Sequence, residues 1–109
     1  MPTIYKVLGQ SNPSATTATT LYTVPSATSA ILSTVTVCNQ AATAGSFRIA
    51  IRPAGATLTA QHYVAYDIAI AANDTTCLTL GLTLATTDVV TVYAATSTMS
   101  FAAFGSEIS

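Results

Sequence analysis

AILSTVTVCN, residues 30–39, is the longest stretch of the chain whose side chains alternate with a period of two. Successive side chains of a strand point to opposite faces, and β-branched residues such as valine and threonine favour strands. The pattern therefore predicts a long strand that ends in a turn over residues 39–45. One face would carry Ile31, Ser33, Val35 and Val37, and the other would carry Leu32, Thr34, Thr36 and Cys38.

The same period recurs on both sides of this strand, and no segment has the period of a helix. Turn signals separate the patterns, and the alternation of residues 62–70 shifts near Asp67, which predicts a β-bulge. We expect about eight strands in one antiparallel β-sandwich, either jelly-roll-like or immunoglobulin-like. The other strand patterns occupy residues 4–8, 21–24, 46–52, 62–70, 76–82, 89–94 and 99–108.

The length of 109 residues fits one domain. Residues 11–20, SNPSATTATT, contain only small or polar residues and a proline, which predicts an extended loop or arm. We therefore assign residues 1–20 to a first strand with this extended segment, and residues 21–109 to the body of the sandwich. We expect no signal peptide and no membrane span, because no stretch approaches the ~20 apolar residues that a span needs.

Charged residues are unusually few. The chain has three Lys or Arg and four Asp or Glu, 6% in all, against about 25% in an ordinary soluble domain. With a net charge of −1 and no basic patch, we expect neither a nucleic-acid partner nor a membrane partner. The surface must consist mainly of small neutral residues, and such a surface permits identical copies to pack closely.

Few side chains could carry catalysis. His62 is the only histidine, and no spacing brings a nucleophile or a carboxylate to it, so we interpret it as a surface residue at the start of a strand. Asp74 and Asp88 stand in turns, where such side chains hydrogen-bond to the backbone. We expect no catalytic residue, no cofactor and no metal site, because one histidine, two distant cysteines and scattered carboxylates do not suggest a ligand cluster.

Cys38 and Cys77 leave two alternatives open. A bridge between the sheets, as in immunoglobulin domains, would place Cys77 on the core face, but it alternates in phase with Thr75 and Thr79, opposite the leucines of its strand. We favour two reduced thiols that act as small apolar fillers.

The five tyrosines also have two interpretations. They fill amphipathic strands with the hydroxyl at the rim, or they form an aromatic platform for a sugar or a protein. A binding module predicts that Tyr63, Tyr66 or Tyr93 lines an exposed shelf. Asp67 interrupts the most apolar run, and we expect it to pair with Arg48 or Arg52 of a neighbouring strand or subunit.

A family resemblance covers essentially the whole chain. It rests on strand and turn strings, without a catalytic motif: YKVLGQ, LYTVP, AILSTVTVCN, FRIAIRPAG, HYVAYDIAI, LTLGLTLATTDVVTVYA and FGSEI. Together these strings resemble small virion structural proteins of tailed bacteriophages, of the marine and cyanobacterial phage type. The resemblance implies a non-enzymatic capsid decoration (cement) protein. The alternative is a tail, baseplate or fibre-associated β-sandwich module with host-surface or glycan binding.

The resemblance also implies partners and a location. We expect a homo-oligomer, a trimer, that binds other virion proteins such as the major capsid protein at the particle surface, after synthesis in the host cytoplasm. Neutral hydrogen bonds, packing of alanine, valine and leucine side chains, and the extended segment would mediate assembly. The candidate assembly contacts are Lys6, Asn12, Pro13, Arg48, Arg52 and Asp67.

Overall fold

Eight strands in the described residues carry the fold. The computed structural model describes residues 3–109, apart from the side chain of Leu80, so the first two residues of the predicted segment 1–20 lie outside it. Two short 3₁₀ turns, Pro53–Gly55 and Ala60–His62, lie between the fourth and fifth strands. The strands are β1 (Thr3–Ser11), β2 (Thr19–Thr23), β3 (Ser29–Asn39), β4 (Gly45–Arg52), β5 (Tyr63–Ile70), β6 (Thr75–Leu84), β7 (Val89–Ala94) and β8 (Met99–Ile108).

Each strand of the first half of the chain pairs with a strand of the second half, in nested order. β1 pairs with β8, β2 with β7, β3 with β6 and β4 with β5, all antiparallel. Sheet A has the order β1-β8-β3-β6, and sheet B has the order β2-β7-β4-β5. The predicted all-β antiparallel sandwich is confirmed, with the strand order of a jelly roll. The order is not immunoglobulin-like, because among the described strands only β4 and β5 are consecutive neighbours in one sheet.

The core lies between the inner faces of the two sheets. Leu32 and Met99 of sheet A and Ile49 of sheet B are fully buried there. Phe47 of sheet B meets Phe101 of sheet A edge to face, with 6.1 Å between the ring centroids. Burying one such side chain contributes roughly 1.5–3 kcal/mol, so this pair is a major link between the sheets.

Strand β3 changes face in its middle. Leu32 is buried, and so are Val35 and Val37, so the inward phase moves by one position at Ser33. The register of β3 against both β6 and β8 shifts at this point, which marks a β-bulge. The predicted faces are therefore right for Val35 and Val37 but wrong for the first half of the strand, where Leu32 faces the core and Ile31 faces solvent.

Other irregularities lie at the same level of sheet A. β1 shifts its register against β8 between Val7 and Gly9, and β6 carries Gly81, with a φ of 61°, opposite the β3 bulge. Bulged strands bend and twist more strongly than regular ones. Gly105 of β8 lies beside the bulge, and a Cβ atom there would overlap the Ile31 carbonyl oxygen. The close approach of the two backbones therefore requires glycine.

Residues 12–18 lie on the body of the sandwich. The side-chain amide of Asn12 donates a hydrogen bond to the Met99 carbonyl oxygen at 2.6 Å, and the Thr16 N–H donates to the Ala94 carbonyl oxygen at 2.8 Å. Pro13 is buried. Of the two predicted alternatives, loop or arm, the structure has a docked loop, because its polar groups find partners at the β7–β8 end of the sandwich.

Asn39 connects two loops at one end of the molecule. It is 1% exposed, and its amide donates hydrogen bonds to the carbonyl oxygens of Thr43, at 2.9 Å, and Ala71, at 3.2 Å. Its side-chain oxygen accepts the Ala41 N–H at 3.1 Å. Buried polar groups must be satisfied, and this one is satisfied by holding the β3–β4 loop against the β5–β6 loop.

Asp74 and Asp88 bind the backbone of turns, as the sequence predicts. The Asp88 carboxylate accepts the N–H groups of Ala54 and Ala85, each at 2.9 Å. Asp74 accepts the N–H of Thr75 at 2.8 Å. Both carboxylates therefore stabilise turns.

Both cysteines of the described chain are free thiols. Cys77 pairs in register with Thr36, so Cys38 and Cys77 lie diagonally on the outer face of sheet A. Cys38 is half-buried, but Cys77 is exposed. The interpretation as an apolar filler is therefore wrong for Cys77, because its strand forms the edge of the sheet.

Candidate functional site

The described residues contain no cluster suited to a metal ion. Within residues 3–109, no group of three or more His, Cys, Asp or Glu side chains lies close enough together to hold one. In the same part of the chain, no helix has the length and apolar character needed to cross a membrane.

His62 has a structural role. Its side chain is buried, with 8% exposure, and the interpretation as a surface residue is wrong. The Nδ1 atom accepts the Thr59 N–H at 3.1 Å, and the His62 N–H donates to the Thr59 carbonyl oxygen at 3.1 Å. The imidazole is buried because it closes the turn that leads into β5. The sequence places His62 at the start of a strand but does not reveal this turn.

The first exposed apolar surface lies at edge strand β1, on the outer face of sheet A. Tyr5 is 83% exposed and Val7 is 47% exposed, and Ile31 of β3 stands beside them. These side chains line an open hollow, called here the β1 hollow, together with Ser33, Phe104 and Ser106. Exposed apolar groups gathered in one place mark contact sites more often than scattered ones do.

Lys6 also lines this hollow, but its charge is already paired. Its ammonium group lies 3.2 Å from the Glu107 carboxylate, whose other oxygen accepts a short hydrogen bond from the buried Tyr22 hydroxyl. The hydrogen bond from Tyr22, and then that from Lys6, lower the pKa of Glu107, although partial burial opposes them. Burial and the same carboxylate raise the pKa of Tyr22. The network therefore joins β1 and β8 of sheet A to β2 of sheet B.

A second exposed surface lies at edge strand β5, on the outer face of sheet B. Phe47 pairs with Ile68 and Ile49 pairs with Ala65, so two residues of β5, Tyr66 and Asp67, oppose the single residue Arg48. Asp67 has a φ of 49°, a conformation that aspartate tolerates better than most residues. The predicted β-bulge near Asp67 is confirmed.

The bulge directs both side chains to Arg48. The guanidinium Nε lies 2.6 Å from Asp67 Oδ1, and Nη2 lies 3.3 Å from Oδ2. The guanidinium also lies between two aromatic rings, 4.2 Å from the centroid of Tyr66 and 4.3 Å from that of Tyr93. The hydrogen bond to Asp67 raises the pKa of Arg48 above its usual value. The expected pairing of Asp67 with Arg48 is thus present within one chain.

Tyr63 and Tyr66 form an aromatic shelf beside this pair. Their rings meet edge to face, with centroids 4.9 Å apart and planes at 83°. Together with Leu58, Thr59 and Ala60 they line an open hollow, called here the β5 hollow. Tyr66 is 55% exposed. Of the three tyrosines expected on an exposed shelf, Tyr66 is exposed, whereas Tyr63 and Tyr93 are half-buried.

The six candidate assembly contacts do not form one surface. Lys6 lies at β1, Arg48 and Asp67 lie at β5, and Asn12 and the buried Pro13 belong to the docked loop. Arg52 is half-buried on the outer face of sheet B, where its Nε donates to the Thr91 hydroxyl at 3.0 Å and its Nη1 to the Ala56 carbonyl oxygen at 3.2 Å.

The sequence reasoning missed Tyr5, Val7 and Ile31 as a group. A strand over residues 4–8 was predicted, and in any strand Tyr5 and Val7 share one face, but only the topology makes β1 an edge strand. The β3 bulge then turns Ile31 outward to meet them.

Comparison with known proteins adds no relative: no family model matches the chain, and no curated protein matches it either.

Proposed function

We propose that the protein is a non-enzymatic structural component of a tailed-phage virion, a capsid decoration protein that binds the assembled shell through the β1 hollow. The observation that carries the proposal is the exposure of Tyr5 and Val7 of edge strand β1 together with Ile31 of β3 on the outer face of sheet A. Aromatic side chains such as tyrosine are enriched in protein interfaces, and the centre of an interface is more apolar than the rest of the protein surface.

The pairing of the charged side chains within the chain supports the same proposal. Each of the seven charged side chains has a hydrogen-bond partner within the chain, among the described residues. Contacts with other subunits would therefore rely on apolar packing and neutral hydrogen bonds. Such contacts are little affected by salt, in contrast to exposed ion pairs.

The mechanism is stabilisation by mass action. A protein that binds only the assembled shell shifts the equilibrium towards that shell. Many copies, each of which binds weakly, add up through multivalency, and a homo-oligomer such as a trimer increases the effect. The jelly roll contributes a rigid body, so little conformational entropy is lost on binding.

The location in the particle tests the proposal. Virions of the phage that encodes the chain would be labelled with an antibody against it and imaged by electron microscopy. Label on the capsid is expected. Label confined to the tail would replace decoration with the tail-module alternative, and particles without label would refute a virion role altogether.

The binding surface is tested by adding purified protein to particles that lack it. Tyr5→Ala is expected to weaken binding, whereas the matched surface variant Tyr66→Ala, at the opposite edge, is expected to leave it unchanged. Binding of the unaltered protein should change little between about 50 mM and 500 mM NaCl. A steep loss over that range, or equal losses for both variants, would contradict attachment through the β1 hollow.

A further inference from the structure

The β5 hollow presents an aromatic ring that is exposed and yet held in place. Tyr66 is 55% exposed, while the Arg48 guanidinium lies against its ring and Tyr63 meets it edge to face. The bulge at Asp67 fixes the backbone beside it. Because these contacts already restrict the side chain, a ligand that stacks on the shelf would lose little additional conformational entropy.

We propose that the β5 hollow is a binding site for a neutral carbohydrate. Aromatic ring faces carry negative charge density, and the C–H groups of a pyranose are weakly positive, so sugar rings stack on tyrosine rings. Tyr66 supplies the exposed ring, the half-buried Tyr63 lies edge to face beside it, and the segment 58–60 forms the wall of the hollow. The site lies in an otherwise neutral protein surface, as a neutral ligand requires.

Polar groups suited to sugar hydroxyls surround the rings. Thr59 lines the hollow and offers a hydroxyl, and Tyr63 offers another. The Asp67 carboxylate follows Tyr66 in the bulge and is about half exposed, and each of its oxygens has further acceptor capacity beside the hydrogen bond from Arg48. Hydroxyl groups that donate to a fixed carboxylate are strongly oriented, which gives the site specificity.

The charge balance selects a neutral sugar over two other ligands. The positive charge of Arg48 is neutralised by two hydrogen bonds to Asp67, so no free cation attracts the carboxylate of an acidic sugar. Stacked nucleobases are disfavoured for the same reason, because single-stranded nucleic acid also requires cations along its phosphates.

The position of the site keeps it accessible. β1 contacts β2 across the sandwich, whereas β5 forms the far edge of sheet B. The β5 hollow and the β1 hollow thus lie at opposite edges and on opposite outer faces. A particle bound at the β1 hollow would leave the β5 hollow exposed, and sugar binding does not depend on any role in a virion.

The test uses the purified full chain and defined sugars. The methyl glycosides of glucose, galactose and mannose, with N-acetylglucosamine, would be titrated up to about 20 mM against ¹⁵N-labelled protein. N-acetylneuraminic acid serves as the acidic contrast. Saturable shifts of the Tyr63, Tyr66 and Asp67 amide signals with at least one neutral sugar are expected, together with weaker binding or none for the acidic sugar.

Variants separate a binding role from a structural one. Tyr66→Ala is expected to weaken binding about tenfold or more, Tyr66→Phe to retain most of it, and Tyr5→Ala to leave it unchanged. In Asp67→Asn, asparagine tolerates the same backbone conformation as aspartate but does not neutralise the positive charge of Arg48. The affinity for the acidic sugar is therefore expected to rise relative to that for the neutral sugars.

Three results would overturn the proposal. The first is the absence of saturable shifts with every sugar, and the second is a set of shifts that Tyr66→Ala does not change. The third is a concentration-dependent dimer that Tyr66→Ala abolishes, which would assign this face to a second copy of the chain. None of these results bears on attachment through the β1 hollow, which Tyr5→Ala tests separately.

Discussion

Gly105→Ala is expected to destabilise the protein by about 3 kcal/mol. The added Cβ would overlap the Ile31 carbonyl oxygen and would lie 3.0 Å from the Ile31 carbonyl carbon and 3.2 Å from Leu32 Cα. All three atoms belong to the backbone of β3, so no side chain can rotate away. The β3–β8 pairing at the centre of sheet A must therefore shift.

A loss of this size would change both the free energy of unfolding and Tm measurably. Domains of this kind have a free energy of unfolding of about 5–15 kcal/mol, so a loss of about 3 kcal/mol is a large fraction. With an unfolding entropy of about 2.1 cal/mol/K per residue, 109 residues correspond to a fall in Tm of roughly 13 °C. Urea unfolding followed by circular dichroism measures the free energy, and calorimetry measures Tm.

Gly81→Ala is the matched control. A Cβ at Gly81 meets no atom within 4 Å, but the φ of 61° is unfavourable for alanine. Its expected cost of about 1 kcal/mol comes from the backbone conformation alone. If Gly105→Ala lowered the free energy of unfolding no more than Gly81→Ala, the overlap of the added Cβ with the Ile31 carbonyl oxygen would not exist. The reasoning from the bulge in β3 would then be refuted.

Three further predictions concern charge, a buried amide and the thiols. The pKa of Glu107 is lowered in the folded state. Its stabilising effect is therefore present above the unfolded pKa of about 4.3 and is lost as pH falls through the folded pKa. Urea midpoints measured from pH 7 to pH 2 should fall less for Glu107→Gln than for the unaltered chain. Asn39→Ala leaves buried backbone groups without partners and should cost about 3 kcal/mol, whereas an unchanged urea midpoint would contradict its role as a link between loops. Cys77 should react with a thiol reagent faster than Cys38 in the folded protein, and equal rates would contradict their different exposure.

The strands could be predicted because their signal is local. A period of two with β-branched residues marks each of them, and turn residues mark most of their ends. The β-bulge at Asp67 was also visible, since a charged residue interrupts an apolar alternation at that point. The pairing of strands is a long-range property, so the sequence left jelly-roll and immunoglobulin-like orders open.

The faces of β3 and the candidate surfaces were harder to predict, for physical reasons. The bulge at Ser33 inserts one residue into a run that has apolar side chains on both predicted faces, Ile31 and Val35 on one and Leu32 on the other, so the alternation does not show where the inward face changes. The prediction therefore grouped Ile31 with Val35 and Val37, whereas the structure places it on the opposite face of the strand. Exposure of Tyr5 depends on β1 being an edge strand, and burial of His62 depends on a turn that its side chain itself closes.

The pairing of each strand with its counterpart from the other end of the chain also sets the order of folding. β4 and β5 are separated by ten residues, whereas Thr3 of β1 pairs with Ile108 of β8. Because a longer loop costs more entropy to close, we expect the inner pairs to form first and β1 to dock last. The surface that carries Tyr5 and Val7 would then be completed only when the rest of the chain has folded, so that partly folded copies lack it.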